Sequence, residues 1–198
     1  MDKLAVLVNS FGSSVISVGR EVGLDISLNK AQVSPGVKVA NICAASLIGI
    51  VGNGTHGTAV IMLDEVGFKA VVSAMSGGMI AANLNDPVSM SVIGELSNMV
   101  SGRSLIQAAL ADVDVTPPQL IVGDNIQNVP TQSAGVKCFT LPFSLQPAGV
   151  LYETLGGPSA ATVAMRAVRS AWTVRPRGLP EAVVIVFVRV HVRSFRYG

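Results

Sequence analysis

The chain has 198 residues, of which 49% are hydrophobic and only 13% are charged. That length suits one domain with a real hydrophobic core, and a charge content well below the roughly 25% of typical domains suggests that part of the surface pairs with another subunit. Residues 1–155 hold seven Lys and Arg against eleven Asp and Glu, a net charge of −4. This acidic balance argues against nucleic acid as the partner of the main body.

The two cysteines, Cys43 and Cys138, stand alone without CxxC spacing, so the sequence favours free thiols over a metal site or a disulfide framework. No apolar run reaches the roughly 18 residues that a membrane-spanning helix needs. The short apolar run after Lys3 is interrupted by Asn9 before it completes a signal-peptide core. We therefore expect a cytoplasmic protein without a membrane span.

The first half of the chain reads as one helix followed by three strands. Apolar residues recur at spacings of three and four over 4–22, which predicts an amphipathic helix that Gly23 ends. Residues rich in Val and Ile predict strands near 26–33, 40–51 and 57–63. Asn53 and Gly54 separate the last two of these strands and predict a hairpin.

Two helices and three more strands are predicted after the hairpin. Asp64 is placed to cap a helix over 65–75, and Asp86 with Pro87 marks the start of a long helix that runs to about residue 110. Further strands are expected at 119–122, 135–141 and 149–155. The order of helix, strands, two helices and strands indicates an α+β fold in which a mostly antiparallel sheet packs against long helices.

The segment 156–198 differs in composition from the body. It is rich in Arg, Val and Ala and carries seven Arg against one Glu. We therefore divide the chain into a domain over 1–155 and an atypical C-terminal tail over 156–198. Within the tail, residues 182–192 have high β-propensity and predict either an added edge strand or a sticky extension.

The long helix carries two stripes at about 100° per residue. One is apolar and is predicted to be buried; it consists of Val92, Leu96, Met99, Val100, Ile106 and Leu110. The other consists of Ser91, Glu95, Asn98 and Gly102 and is predicted to face outward. A carboxylate, a carboxamide one turn later and a glycine beyond them suit recognition of a polar site on a partner. The pattern Glu-x-x-Asn alone is common on exposed helix faces and does not define a site.

The sequence around this pair carries more information than the pair itself. Residues 94–102, GELSNMVSG, resemble the central motif of the CheX family of bacterial chemotaxis phosphatases and of the related CheC proteins. Segments 57–60, 118–123 and 141–143, the last leading to Gly149, follow the same order and gaps as in that family. The resemblance covers about residues 1–155 and leaves the tail outside.

The resemblance implies a CheC/CheX-like homodimer that hydrolyses the aspartyl phosphate of a CheY-like receiver domain. Glu95 and Asn98 match the catalytic pair of the motif, and Ser91, Gly94 and Gly102 are expected to bind the partner. The protein would need no cofactor or metal of its own, because the receiver domain is expected to bring Mg²⁺. A second such pair, which CheC-type proteins can carry, is not found.

Two other interpretations stay open. A non-catalytic module of the same fold would bind a receiver domain without dephosphorylating it. A structural dimer would use its basic tail to bind nucleic acid or a membrane surface. The presence of Asn98 beside Glu95 favours the enzyme over the non-catalytic module, because a module that only binds would be free to lose Asn98.

Overall fold

The computed structural model describes residues 3–35, 39–52, 55–110, 112–126, 137–146, 150–157 and 191–192. Within these ranges the helices are α1 (Lys3–Glu21), α2 (Glu65–Ser76) and α3 (Pro87–Ala108), with a short 3₁₀ turn at Lys30–Gln32. The strands are β1 (Asp25–Leu28), β2 (Ser34–Pro35), β3 (Ile42–Gly52), β4 (Thr55–Asp64), β5 (Asp114–Val115), β6 (Gln119–Val122), β7 (Lys137–Gln146), β8 (Val150–Gly157) and β9 (His191–Val192).

The strands form one sheet in the order β1-β7-β8-β4-β3-β5. The short strands β2, β6 and β9 pair with β7, β3 and β4. Each pairing between described strands is antiparallel. This arrangement confirms the α+β class and the helix, strands, two helices, strands order.

The helix boundaries follow the signals in the sequence. Gly23 adopts a φ of 90° two residues after the end of α1, a conformation that glycine accepts without steric cost. A side-chain oxygen of Asp64 accepts a hydrogen bond of 2.7 Å from the backbone N–H of Gly67, which caps α2. Asp86 accepts hydrogen bonds from the backbone N–H groups of Val88 and Ser89 at 3.2 and 3.1 Å, which caps α3. The predicted caps are therefore confirmed.

The predicted hairpin is also confirmed, because β3 pairs with β4 from Ile42 opposite Asp64 to Gly52 opposite Thr55. Only the first part of the strand predicted over 26–33 is a strand, β1; a 3₁₀ turn follows it, and β2 begins after the predicted range. The two-residue strand β5 was not predicted.

The strand β7 runs through Pro142, although the sequence predicts that this strand ends at Leu141. The carbonyl of Pro142 accepts a hydrogen bond of 2.8 Å from the backbone N–H of Asn29, in the segment between β1 and β2. A residue in a strand directs its N–H and C=O to the same side. The missing N–H of Pro142 therefore faces the break between β1 and β2, where a proline costs the sheet little.

The main hydrophobic core lies between the helices and one face of the sheet. Its fully buried side chains include Phe11, Phe68, Ile50, Ile61 and Phe143. A smaller cluster lies on the opposite face around Ile42, Ala45, Val60 and Met62. None of the helices in the described part of the chain is both long and apolar enough to cross a membrane.

Beyond Gly157, the tail contributes only β9 to the described residues. His191 lies opposite His56 and Val192 opposite Thr55 at the hairpin end of β4. The rest of the strand predicted over 182–192 lies outside the described residues. The domain boundary predicted after residue 155 falls within β8, which continues to Gly157.

Candidate functional site on the exposed face of α3

The buried face of α3 differs from the predicted apolar stripe. Ile93, Leu96 and Val100 are buried, and four serines are buried with them: Ser89, Ser97, Ser101 and Ser104. Val92 and Met99 are only half-buried, and Ile106 is 81% exposed. The prediction that Ile106 lies in the core is therefore wrong. Small serines occupy much of the side of α3 that is buried. The spacing of apolar residues alone therefore predicts the wrong side of the helix as buried.

Polar contacts from α1 hold α3 along its side. Gln107 accepts a hydrogen bond of 2.6 Å from the Ser13 hydroxyl. Arg103 lies 2.7 Å from a carboxylate oxygen of Glu21, and its other terminal nitrogen lies 3.4 Å from the Ser17 hydroxyl. Together with the buried face, these contacts fix the direction in which the opposite side of α3 points. Exposed side chains on that side are thus carried by a rigid element.

The four residues of the predicted outward stripe, Ser91, Glu95, Asn98 and Gly102, form what we call the polar row. The first three are exposed and Gly102 is half-buried. Residues three or four apart on a helix have Cβ atoms about 5–6 Å apart, so the Glu95 carboxylate and the Asn98 carboxamide are neighbours. Neither makes a hydrogen bond or an ion pair with another described residue. Both are therefore available to a partner.

The two glycines of the motif have different surroundings. A Cβ added at Gly94 would lie 3.4 Å from Pro118 and 3.5 Å from Leu120, because Gly94 is buried against β6 and the segment before it. Gly94 thus lies off the polar row, which corrects its expected place in the partner-binding surface. At Gly102 an added Cβ would meet nothing within 4 Å. Because Gly102 has no side chain, a partner can approach the helix closely beside Asn98.

The other reactive or charged side chains that we considered are less suited to a catalytic or metal-binding site. Burial first, and then the carboxylates of Asp64 and Glu65, raise the pKa of the Cys43 thiol to about 11, so this thiol stays protonated at neutral pH. Among the described residues, no three His, Cys, Asp or Glu side chains come together as a metal site requires. Glu65 forms an ion pair with Lys69 one turn later on α2. The described geometry thus points to the polar row.

Sequence reasoning missed the apolar neighbours of the polar row. Val88 and Ile106 are 56% and 81% exposed on the same helix. At 100° per residue, each lies about 20° from Glu95 around the axis. A helical wheel places both residues beside Glu95. Ile106 was instead assigned to the core, and Val88 was not considered.

Comparison with known proteins supports the fold and the family. The family described as chemotaxis phosphatase CheX matches residues 44–144. The CheY-P phosphatase CheX of Thermotoga maritima is 31% identical over 126 residues, which span 62% of this chain and 79% of that protein.

Solved structures have the same fold. The chemotaxis protein CheX from Vibrio vulnificus superposes with a TM-score of 0.61 at 24% identity and covers 75% of this chain and 97% of its own. A chain of the CheX–CheY–BeF₃–Mg²⁺ complex from Borrelia burgdorferi gives a TM-score of 0.56 at 18% identity, covering 74% of this chain and 94% of its own. The family match spans half of the sequence and includes α3 with its polar row. The chain therefore belongs to the CheX family.

Proposed function

We propose that the protein hydrolyses the aspartyl phosphate of a CheY-like receiver domain, with Asn98 and Glu95 as the residues that act on it. The observation that carries this proposal is the polar row, in which both side chains are exposed and without partners among the described residues on a helix fixed from its other sides. Membership of the CheX family and 31% identity to a CheY-P phosphatase support the same assignment.

The reaction needs a well-placed water more than it needs a strong base. The water oxygen attacks phosphorus in line with the aspartyl oxygen, the P–O bond to the aspartate breaks, and inorganic phosphate and a free carboxylate result. The side-chain oxygen of Asn98 accepts a hydrogen bond from this water and orients it, as a glutamine does in GTPases. Mg²⁺, when bound by the receiver, neutralises charge on the phosphoryl group.

Glu95 has a docking role in this proposal. A carboxylate repels a phosphoryl group, so it is suited to a cation on the receiver and not to the phosphorus itself. We assign that cation to a lysine beside the receiver's phosphorylation site. A charge-assisted contact of this kind fixes the register of the two proteins, which places Asn98 over the phosphate. Ser91 and Gly102 flank the pair on the same row and are proposed to contact the receiver.

The test is the decay of a radiolabelled phosphoryl-receiver with and without this protein. Acceleration with multiple turnovers would support the phosphatase. Binding of a beryllofluoride-activated receiver without faster decay would instead identify the non-catalytic module. Absence of both effects would contradict the proposed function.

A further inference from the structure

The surface beside the polar row is apolar in a way that the fold does not explain. Val88, Val92, Met99 and Ile106, which we call the apolar row, lie within about 60° of Glu95 on one side of it. Val88 and Ile106 are 56% and 81% exposed, and Val92 and Met99 are half-buried. Single exposed apolar side chains are common on protein surfaces. Here two exposed and two half-buried apolar side chains lie in line along the candidate site.

Core packing does not require this arrangement. Val92 and Met99 contact the main core with part of their surface, whereas Val88 and Ile106 do not belong to it. The opposite side of α3 already anchors the helix through Ile93, Leu96 and Val100. Polar residues at 88 and 106 would therefore serve the isolated fold at least as well.

The helix α3 carries few charged side chains. Glu95 and Arg103 are the charged residues of the helix. Arg103 is held by Glu21 at 2.7 Å, so Glu95 is the charge of this helix that is left for a partner. A complementary surface would thus present one cation for Glu95 and an apolar strip beside it that extends along the helix in both directions. That description fits one globular protein better than a nucleic acid or a charged lipid surface.

The apolar row is short enough to be covered by one globular domain. Val88 and Ile106 are 18 residues apart, which is about 27 Å along a helix. A domain of 100 residues has a radius of gyration of about 13 Å, so a single docked domain can cover both ends. A second copy of this chain seated here would cover Glu95 and Asn98 and block the site.

We propose that the apolar row is the docking surface for the receiver domain, with Val88 before and Ile106 after the reacting pair along the helix as apolar anchors. This inference rests on the proposed function and adds to it the residues that determine affinity. Docking residues contact the partner equally in the bound complex and in the transition state. Their substitution therefore changes Kd and KM but leaves kcat nearly unchanged.

Ile106→Gln tests the inference, because glutamine keeps the helix propensity and approximate size while removing the apolar contact. We expect the Kd for a beryllofluoride-activated receiver, and the KM for the phosphoryl-receiver, to rise about tenfold with kcat nearly unchanged. Val88→Gln should raise both constants about threefold, since less of this smaller side chain is exposed for contact.

Val51→Gln is the matched control. Val51 is also an exposed apolar residue, at 41%, but it follows the buried Ile50 on β3. Neighbouring residues of a strand face opposite sides of the sheet, so Val51 points away from the helices. This variant should leave Kd and KM at the wild-type values.

The possible results distinguish failure of the docking proposal from failure of the proposed phosphatase function. If the wild type accelerates decay and Ile106→Gln keeps the wild-type Kd and KM, the docking role is refuted and the phosphatase stands. Conversion of a dimer to a monomer by Ile106→Gln, or tighter receiver binding, would also refute it, because another copy or the tail would then be the occupant. A wild type that neither binds nor dephosphorylates the receiver overturns both proposals.

Discussion

Glu95 and Asn98 have separable roles, and substitution of each should affect a different quantity. Asn98→Ala removes the group that orients water but leaves the docking surface, so kcat should fall by on the order of 10² with the receiver Kd nearly kept. Glu95→Ala should raise Kd and lower turnover, because a receiver cation loses its partner. Both residues are exposed, so thermal melts should match the wild type. Full activity in Asn98→Ala would refute the water-orienting role.

Gly102 allows a prediction in which stability and binding change in opposite directions. Alanine at this helical position should raise the free energy of unfolding by about 0.5–1 kcal/mol, because glycine is costly inside a helix. An added Cβ meets no atom within 4 Å, so the fold can accept it. The same methyl group lies one turn beyond Asn98 and should weaken receiver binding. Urea unfolding and affinity for the activated receiver, measured on one preparation, check both signs; stronger or unchanged binding would contradict the assignment.

The start of α3 gives a pH-dependent prediction at the scale of the element. Hydrogen bonds from the backbone N–H of Ser89, then from that of Val88, and from the Ser89 hydroxyl lower the pKa of Asp86. A carboxyl with a depressed pKa contributes stability above its unfolded pKa, about 3.9, and loses it as the pH falls through the folded value. The difference in Tm between the wild type and Asp86→Ala should thus be full at pH 7 and shrink below pH 4. A difference that is constant from pH 7 to pH 2 would contradict this.

The elements that the sequence predicted well are those with local signals. Capping residues such as Asp64 fix helix ends through one nearby hydrogen bond, so they can be read without the tertiary structure. The buried face of α3 could not be read this way, because four of its buried residues are serines and exposed Ile106 resembles a core residue. Likewise, the strand through Pro142 depends on a break between β1 and β2, which lies far away in sequence.

At the scale of the whole molecule, we propose that the body folds without the tail. The described helices and the two clusters of buried residues lie before residue 158, and the described residues after Gly157 form only a two-residue pairing with β4. The boundary is best placed after Gly157, because β8 ends there. A chain of residues 1–157 should unfold cooperatively with a Tm close to that of the full chain. Loss of cooperative unfolding would make the tail an integral part of the fold.

We expect a homodimer because the surface is poor in charge and because β6 leaves an open sheet edge among the described residues. The N–H of Gly123 donates to the Cys43 carbonyl on β3 at 3.1 Å. Consecutive residues of a strand direct their N–H groups to opposite sides, so the N–H of Val122 points away from β3, toward the free edge.

Val122→Pro therefore removes a donor from the open edge while the pairing of β6 with β3 keeps its own hydrogen bonds. Val122→Ala is the control, because it trims the side chain but retains the N–H. By sedimentation at micromolar concentration, the wild type and Val122→Ala should be dimers and Val122→Pro a monomer. A dimer in all three would place the interface elsewhere, and a monomeric wild type would remove it.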